Sequence, residues 1–173
     1  MEVHGVPCYV FMMLPFNVII RRIAMQGNYD QQQIIDFLTG HLRKIESTRN
    51  HILKEFYEEG TEERDNFKSM VEQYTNNIRS FIDTEADITK NGQWPLVLIG
   101  SIVEVKDLDY SEIDKLKIVP PFYEEKAGKL ESASCLSPVG HALLLKKIGD
   151  EVAVKTPLGN CNFMIKSIDL PSN

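Results

Sequence analysis

Two runs of apolar residues at alternating three- and four-residue spacings dominate the first half of the chain. The first is Ile35, Leu38, Leu42, Ile45, Ile52 and Phe56; the second is Phe67, Val71, Tyr74, Ile78 and Phe81. This is the a/d seam of a coiled coil, with Arg49 in the one polar slot of the first run. A stripe that narrow is satisfied only by another helix. Between the runs lies Glu58-Glu59-Gly60-Thr61-Glu62-Glu63, where Gly60 suits the end of one helix and Thr61 the N-cap of the next. So short a connection makes the two helices antiparallel. At about 1.5 Å per residue the hairpin is roughly 30 Å long. It buries little surface alone, so it either packs on something or reaches into something.

The charge is concentrated in the same half. The formal net charge is −6, and residues 30–88 hold seven basic against thirteen acidic side chains, whereas residues 1–29 and 89–173 are close to balanced. An acidic chain without a clustered Lys/Arg surface does not bind duplex nucleic acid by itself. The densest acids are Glu55, Glu58, Glu59, Glu62, Glu63 and Asp65, all around the turn. The ordinary account is a solvated helix end, and acids in a first helical turn also favour the macrodipole. Their place at the end of a rod supports a second account. Glu62 and Asp65 are three apart, fall on one helical face, and are spaced to share a hard cation such as Mg²⁺. Arg43, Lys44, Arg49 and Lys54 read as a solvated face of the first helix, and His4, His41, His51 and His141 as structural or surface residues. No phosphate loop, nucleophile elbow or triad pattern occurs, so the chain is not expected to be an enzyme by itself.

The remaining segments have a different texture. Residues 7–20 are strongly apolar but interrupted by Pro7 and Pro15, and they fall short of the about 20 apolar residues a membrane helix needs. Arg21 and Arg22 follow the run, whereas a secretory signal has its positive charges first. Residues 1–29 are expected to be an extension, docked or disordered, with Met25 as a functional start; a membrane-surface or partner-docking segment is the alternative. Asn91-Gly92 and Pro95 mark a join after the hairpin, with Trp94 as a packing anchor. Leu96–Ile99 with Ser101–Val105, Lys115–Val119, Glu151–Thr156 and Asn162–Ile168 are expected strands, with a hairpin turn over 157–160. A helix starts at Ser137-Pro138 and stops before Gly149-Asp150. The expected organisation is an extension (1–29), an antiparallel coiled-coil hairpin (30–88) and a small domain with a mostly antiparallel sheet and one helix (89–173). The fold class is α+β. Cys8, Cys135 and Cys161 are odd in number and lack CxxC spacing, which fits inert thiols in a reducing compartment, the cytoplasm.

The C-terminal half carries motifs in a recognisable order. Ser137-Pro138-Val139-Gly140-His141-Ala142-Leu143-Leu144, then Lys146-Lys147-Ile148-Gly149-Asp150-Glu151-Val152, then Thr156-Pro157-Leu158-Gly159, resemble the signature of bacterial GreA/GreB transcription elongation factors. Gly100–Asp109 resembles the first strand of the same domain, and the hairpin extends the likeness to roughly residues 31–170. The resemblance implies an FKBP-like C-terminal domain that docks at the rim of the secondary channel of bacterial RNA polymerase, with the hairpin threaded down the channel towards the RNA 3′ end. It implies a monomer with no cofactor of its own and no membrane contact. Glu62, Asp65 and Glu63 would be the tip acids assisting polymerase-bound Mg²⁺ in cleavage of backtracked RNA, with Glu62 and Asp65 contributing metal ligands. Partner contacts would fall on Ser137, Pro138, Gly140, Gly149 and Asp150 of the signature.

The tip departs from the family pattern Gly-Asp-Leu-Ser-Glu-Asn-Ala-Glu-Tyr. From Gly60 to Phe67 it is one residue shorter, so the family's metal-binding Asp falls on Thr61 or on Gly60 according to the anchor. A regulator that occupies the channel without stimulating cleavage is therefore the alternative. An FKBP-like prolyl isomerase with a coiled-coil arm, and a coiled-coil protein that dimerises through its seam, are further readings.

Overall fold

The computed structural model describes residues 30–84, 94–123, 130–156 and 159–170. The expected extension over 1–29, the Asn91-Gly92 join and the centre of the 157–160 turn lie outside the described residues.

Helix α1 (Gln31–Phe56) begins with a capping box: Asp30 Oδ1 accepts from the Gln33 amide at 2.8 Å, and Gln33 Oε1 accepts from the Asp30 amide at 3.1 Å. Helix α2 (Glu62–Thr84) runs back along it. Phe67, Val71, Tyr74, Ile78 and Phe81 are all buried, as their spacing requires. On α1 the buried stripe is Ile34, Leu38, His41, Leu42, Ile45, Ile52 and Leu53, so the seam starts at Ile34 and Ile35 is only half-buried. The stripe is wider than a two-helix seam because α1 faces both α2 and the C-terminal domain. Arg49 is joined to Glu72 across the hairpin at 3.8 Å.

The domain is built on a five-stranded sheet of order β3-β2-β1-β5-β4, from β1 (Ile102–Asp107), β2 (Ile113–Val119), β3 (Glu131–Ser134), β4 (Glu151–Thr156) and β5 (Gly159–Asp169). All pairs are antiparallel except β2–β3, which is parallel. Strand β3 was not legible beforehand. Its four residues, Glu-Ser-Ala-Ser, carry one buried side chain, and tertiary pairing rather than propensity makes it a strand. A parallel pair needs a crossover connection between its two strands. Helix α3 (Pro138–Leu143) is capped by Ser137 and shorter than its start and stop signals suggested.

Leu96–Ile99 is not a strand. It is a buried linker, with the Val97 amide donating to the Lys146 carbonyl at 2.9 Å and the Leu145 amide to the Val97 carbonyl at 2.8 Å. Ser101 Oγ accepts from the Leu98 amide at 3.0 Å and closes the turn into β1. Sandwiched between hairpin and sheet, the linker makes one apolar core of the two. Trp94 anchors it, its ring edge-on to Phe37 at 4.9 Å.

A buried polar link joins all three parts. The Tyr74 hydroxyl accepts from the Ile99 amide at 3.0 Å and lies 2.8 Å from His41 Nε2. The hydroxyl oxygen takes the amide hydrogen and either gives its own hydrogen to Nε2 or accepts a second one from it, according to the imidazole tautomer. Burial, aided by Lys44, lowers the His41 pKa to about 4, and burial pushes the Tyr74 hydroxyl well above its usual range.

At about 1.5 Å per residue the 26 residues of α1 span roughly 39 Å, longer than expected, and the hairpin is not a free rod. It lies lengthwise on the domain, touching the linker at its middle and residues 120–122 nearer the turn.

Candidate functional site

The turn between α1 and α2 is organised by three residues. Gly60 takes φ +79°, the left-handed conformation that reverses the chain after α1. Thr61 Oγ1 donates to the Glu58 carbonyl at 3.0 Å and accepts from the Arg64 amide at 3.4 Å. Arg64 then reaches back over the turn, and its Nη1 donates to the Leu53 carbonyl at 2.6 Å and the Tyr57 carbonyl at 3.0 Å. Leu53 lies in the last turn of α1 and Tyr57 is its C-cap, so the cation binds carbonyls at the helix end and complements the dipole at once. Glu59 adds an ion pair to Arg64 at 3.9 Å.

Around this clip the acids face water. Glu58, Glu59, Glu62, Glu63 and Asp65 are all exposed. Glu62 and Asp65 share the first turn of α2, and Asp65 is engaged by Lys68 at 3.5 Å. Among the described residues no three His, Cys, Asp or Glu side chains converge to hold a metal ion.

The apolar side of the turn faces the domain. Tyr57 stacks on Phe67 with centroids 5.3 Å apart, and Phe56 stacks on Phe122 at 4.5 Å with planes 5° apart. Tyr57 also meets Phe122 edge-on at 5.4 Å. Nearby Cys135 is fully buried, and burial pushes its thiol up to about 12, which makes it an inert packing group.

The signature residues of the C-terminal domain have visible structural work. Ser137 Oγ donates to the Ser134 carbonyl at 2.7 Å and accepts from the Gly140 amide at 3.1 Å. Gly140 is buried, and a Cβ there would overlap the Ser134 carbonyl, so it offers a partner no surface. Gly149 turns the chain at φ +89°, and Asp150 Oδ2 holds the Lys147 amide at 2.8 Å. Pro138 and Gly149 are exposed, while Ser137 and Asp150 are half-buried. Arg64 and Phe122 are the site residues that sequence reasoning missed. A lone base among acids was a signal for Arg64; nothing local marked Phe122.

No helix among the described residues is long and apolar enough to cross a membrane. Residues 93–170 match the family model described as "Transcription elongation factor, GreA/GreB, C-term". A transcription elongation factor GreA of Solidesulfovibrio magneticus is 42% identical over 72 residues, covering 42% of this chain and 43% of that protein. The chain thus spans less than half the length of this relative. A GreA of Clostridium novyi is 35% identical over 114 residues, covering 65% of this chain and 67% of that protein. That alignment is longer than the C-terminal domain and so includes part of the hairpin. The crystal structure of GreA factor homolog 1 (Gfh1) of Thermus thermophilus aligns with 84% of this chain and 96% of its own, at 20% identity and a TM-score of 0.40. On the strength of the sequence matches, the chain belongs to the GreA/GreB family.

Proposed function

We propose that this chain is a transcription elongation factor that binds bacterial RNA polymerase in the cytoplasm. In this reading the C-terminal domain rests at the rim of the secondary channel and the hairpin carries Glu62, Glu63 and Asp65 towards the RNA 3′ end. Glu62 and Asp65 supply oxygens to a Mg²⁺ held mainly by the polymerase, and backtracked RNA is cleaved by the polymerase's own active site. The factor acts as a monomer, without a cofactor of its own. Family membership carries the reading, and the exposed acids at the turn of the hairpin support it.

A second reading keeps the binding and omits cleavage. It is favoured by the shortened turn, which places Thr61 or Gly60 where the family has its metal-binding Asp, and by Lys68 beside Asp65. Purified chain is added to stalled elongation complexes, and both polymerase binding and RNA length are measured. The first reading expects shortened transcripts that disappear with Glu62→Ala/Asp65→Ala while binding persists. Binding without shortening establishes the second, and failure to bind core polymerase removes both.

A further inference from the structure

We infer that Phe56, Tyr57 and Phe122 form an aromatic clasp that holds the acid-bearing turn of the hairpin against the C-terminal domain, giving the chain a closed state that opens by release of the clasp. That opening frees the turn to enter a partner rests on the function proposed above; the clasp itself does not.

Three observations carry it. First, Phe56 and Phe122 stack face to face yet stay 50% and 51% exposed. A pair sealed on one side only is a surface fastening, unlike the fully buried seam behind it. Second, Phe122 sits at φ +58°, a left-handed conformation that costs a bulky residue and persists only where its surroundings demand it. It follows Pro120-Pro121 at the start of the parallel crossover, and this conformation presents its ring to the turn. Third, the hairpin–domain contact is uneven. Nearer the open end of the hairpin it is fixed by Phe37 on Trp94, by the buried Tyr74–Ile99 bond and by Lys147 over the Phe81 ring at 5.5 Å. Towards the turn, hairpin and domain flank a small cleft lined by Arg49, Ile52, Phe67, Pro121 and Cys135, and the ring contacts of Phe122 with Phe56 and Tyr57 lie at that end. The hairpin is therefore anchored at one end and clasped at the other, and the clasped end is the one that bears the acids.

The test starts on the isolated chain. Spin labels are placed at Glu59→Cys and Glu131→Cys, both exposed positions, in a chain with Cys8 and Cys161 replaced by Ser; the buried Cys135 is retained. Pulsed dipolar distances are expected to be short, with a minor long component that Phe122→Ala raises roughly two- to tenfold, the factor a lost aromatic pair represents. Phe122→Tyr retains the short distances. Phe56→Ala gives the same shift as Phe122→Ala, and circular dichroism confirms that each variant is folded. An unchanged distribution in both alanine variants, or a mainly long distance before substitution, overturns the clasp. With core polymerase, Phe122→Ala binds more tightly by the same factor by which its open population rises. Equal affinity despite the longer distances overturns the release step. If neither form binds, the release step falls with the proposed function, and the distances decide the clasp on their own.

Discussion

The buried His41–Tyr74–Ile99 link makes a prediction about acid stability whose sign follows from the burial of the imidazole. His41 Nε2 lies 2.8 Å from the Tyr74 hydroxyl, and its pKa is lowered from 6.5 to about 4 by burial and by Lys44, so the ring is neutral in the fold at neutral pH. As pH falls, the unfolded chain takes up this proton first. The contribution is therefore complete above about pH 6.5 and is lost progressively down to about pH 4. A shift of about 2.5 units corresponds to about 3 kcal/mol at the acid limit, of which about 2 kcal/mol is already lost at about pH 5. Urea unfolding at about pH 7.5 and about pH 5, on wild type and His41→Gln, isolates the term. Other carboxylates titrate equally in both proteins, so wild type should lose about 2 kcal/mol more than His41→Gln between the two conditions. Equal losses would refute the buried neutral imidazole. Tyr74→Phe provides the structural companion. It leaves the Ile99 amide and His41 Nε2 without the hydroxyl they share, at a cost of about 2–4 kcal/mol at neutral pH.

Two further substitutions probe close contacts. Gly140→Ala forces a methyl into the Ser134 carbonyl and disturbs the β3–α3 corner; thermal unfolding should show a loss of at least about 2 kcal/mol. Arg64→Met keeps the apolar stem but strips the Leu53 and Tyr57 carbonyls of their donor. The expected cost is about 1–2 kcal/mol, with faster amide exchange in the last turn of α1 and the first turn of α2. If exchange there is unchanged, Arg64 does not hold the turn.

The hairpin was readable because its pattern is local. Every apolar position of α2 that the spacing picked out is buried, and Thr61 caps as its residue type suggests. Strands β1, β2, β4 and β5 were legible for the same reason: β-branched runs bounded by turn residues. Three features were not. Leu96–Ile99 has the composition of a strand, yet it is a linker, because its neighbours on the two sides are helices and the segment after α3. Strand β3 has no strand composition and exists through its parallel pairing with β2. His41 lies on the same stripe as Leu38 and Leu42, but only Tyr74, 33 positions away, makes burying it tolerable.

By itself the sequence determined the two helices, their antiparallel return, the α+β class and the position of the acids, since each depends on periodicity or on residues within a few positions of one another. The family signature was likewise contiguous. Only the tertiary structure decided where the hairpin lies. Its length follows from about 1.5 Å per residue, but whether it stands clear of the domain depends on contacts such as Phe56 on Phe122 and Tyr74 on Ile99, between residues far apart in the chain. No local pattern encodes such contacts, and a half-exposed aromatic gives no periodic signal. That is why the acids were visible at once and the clasp beside them was not.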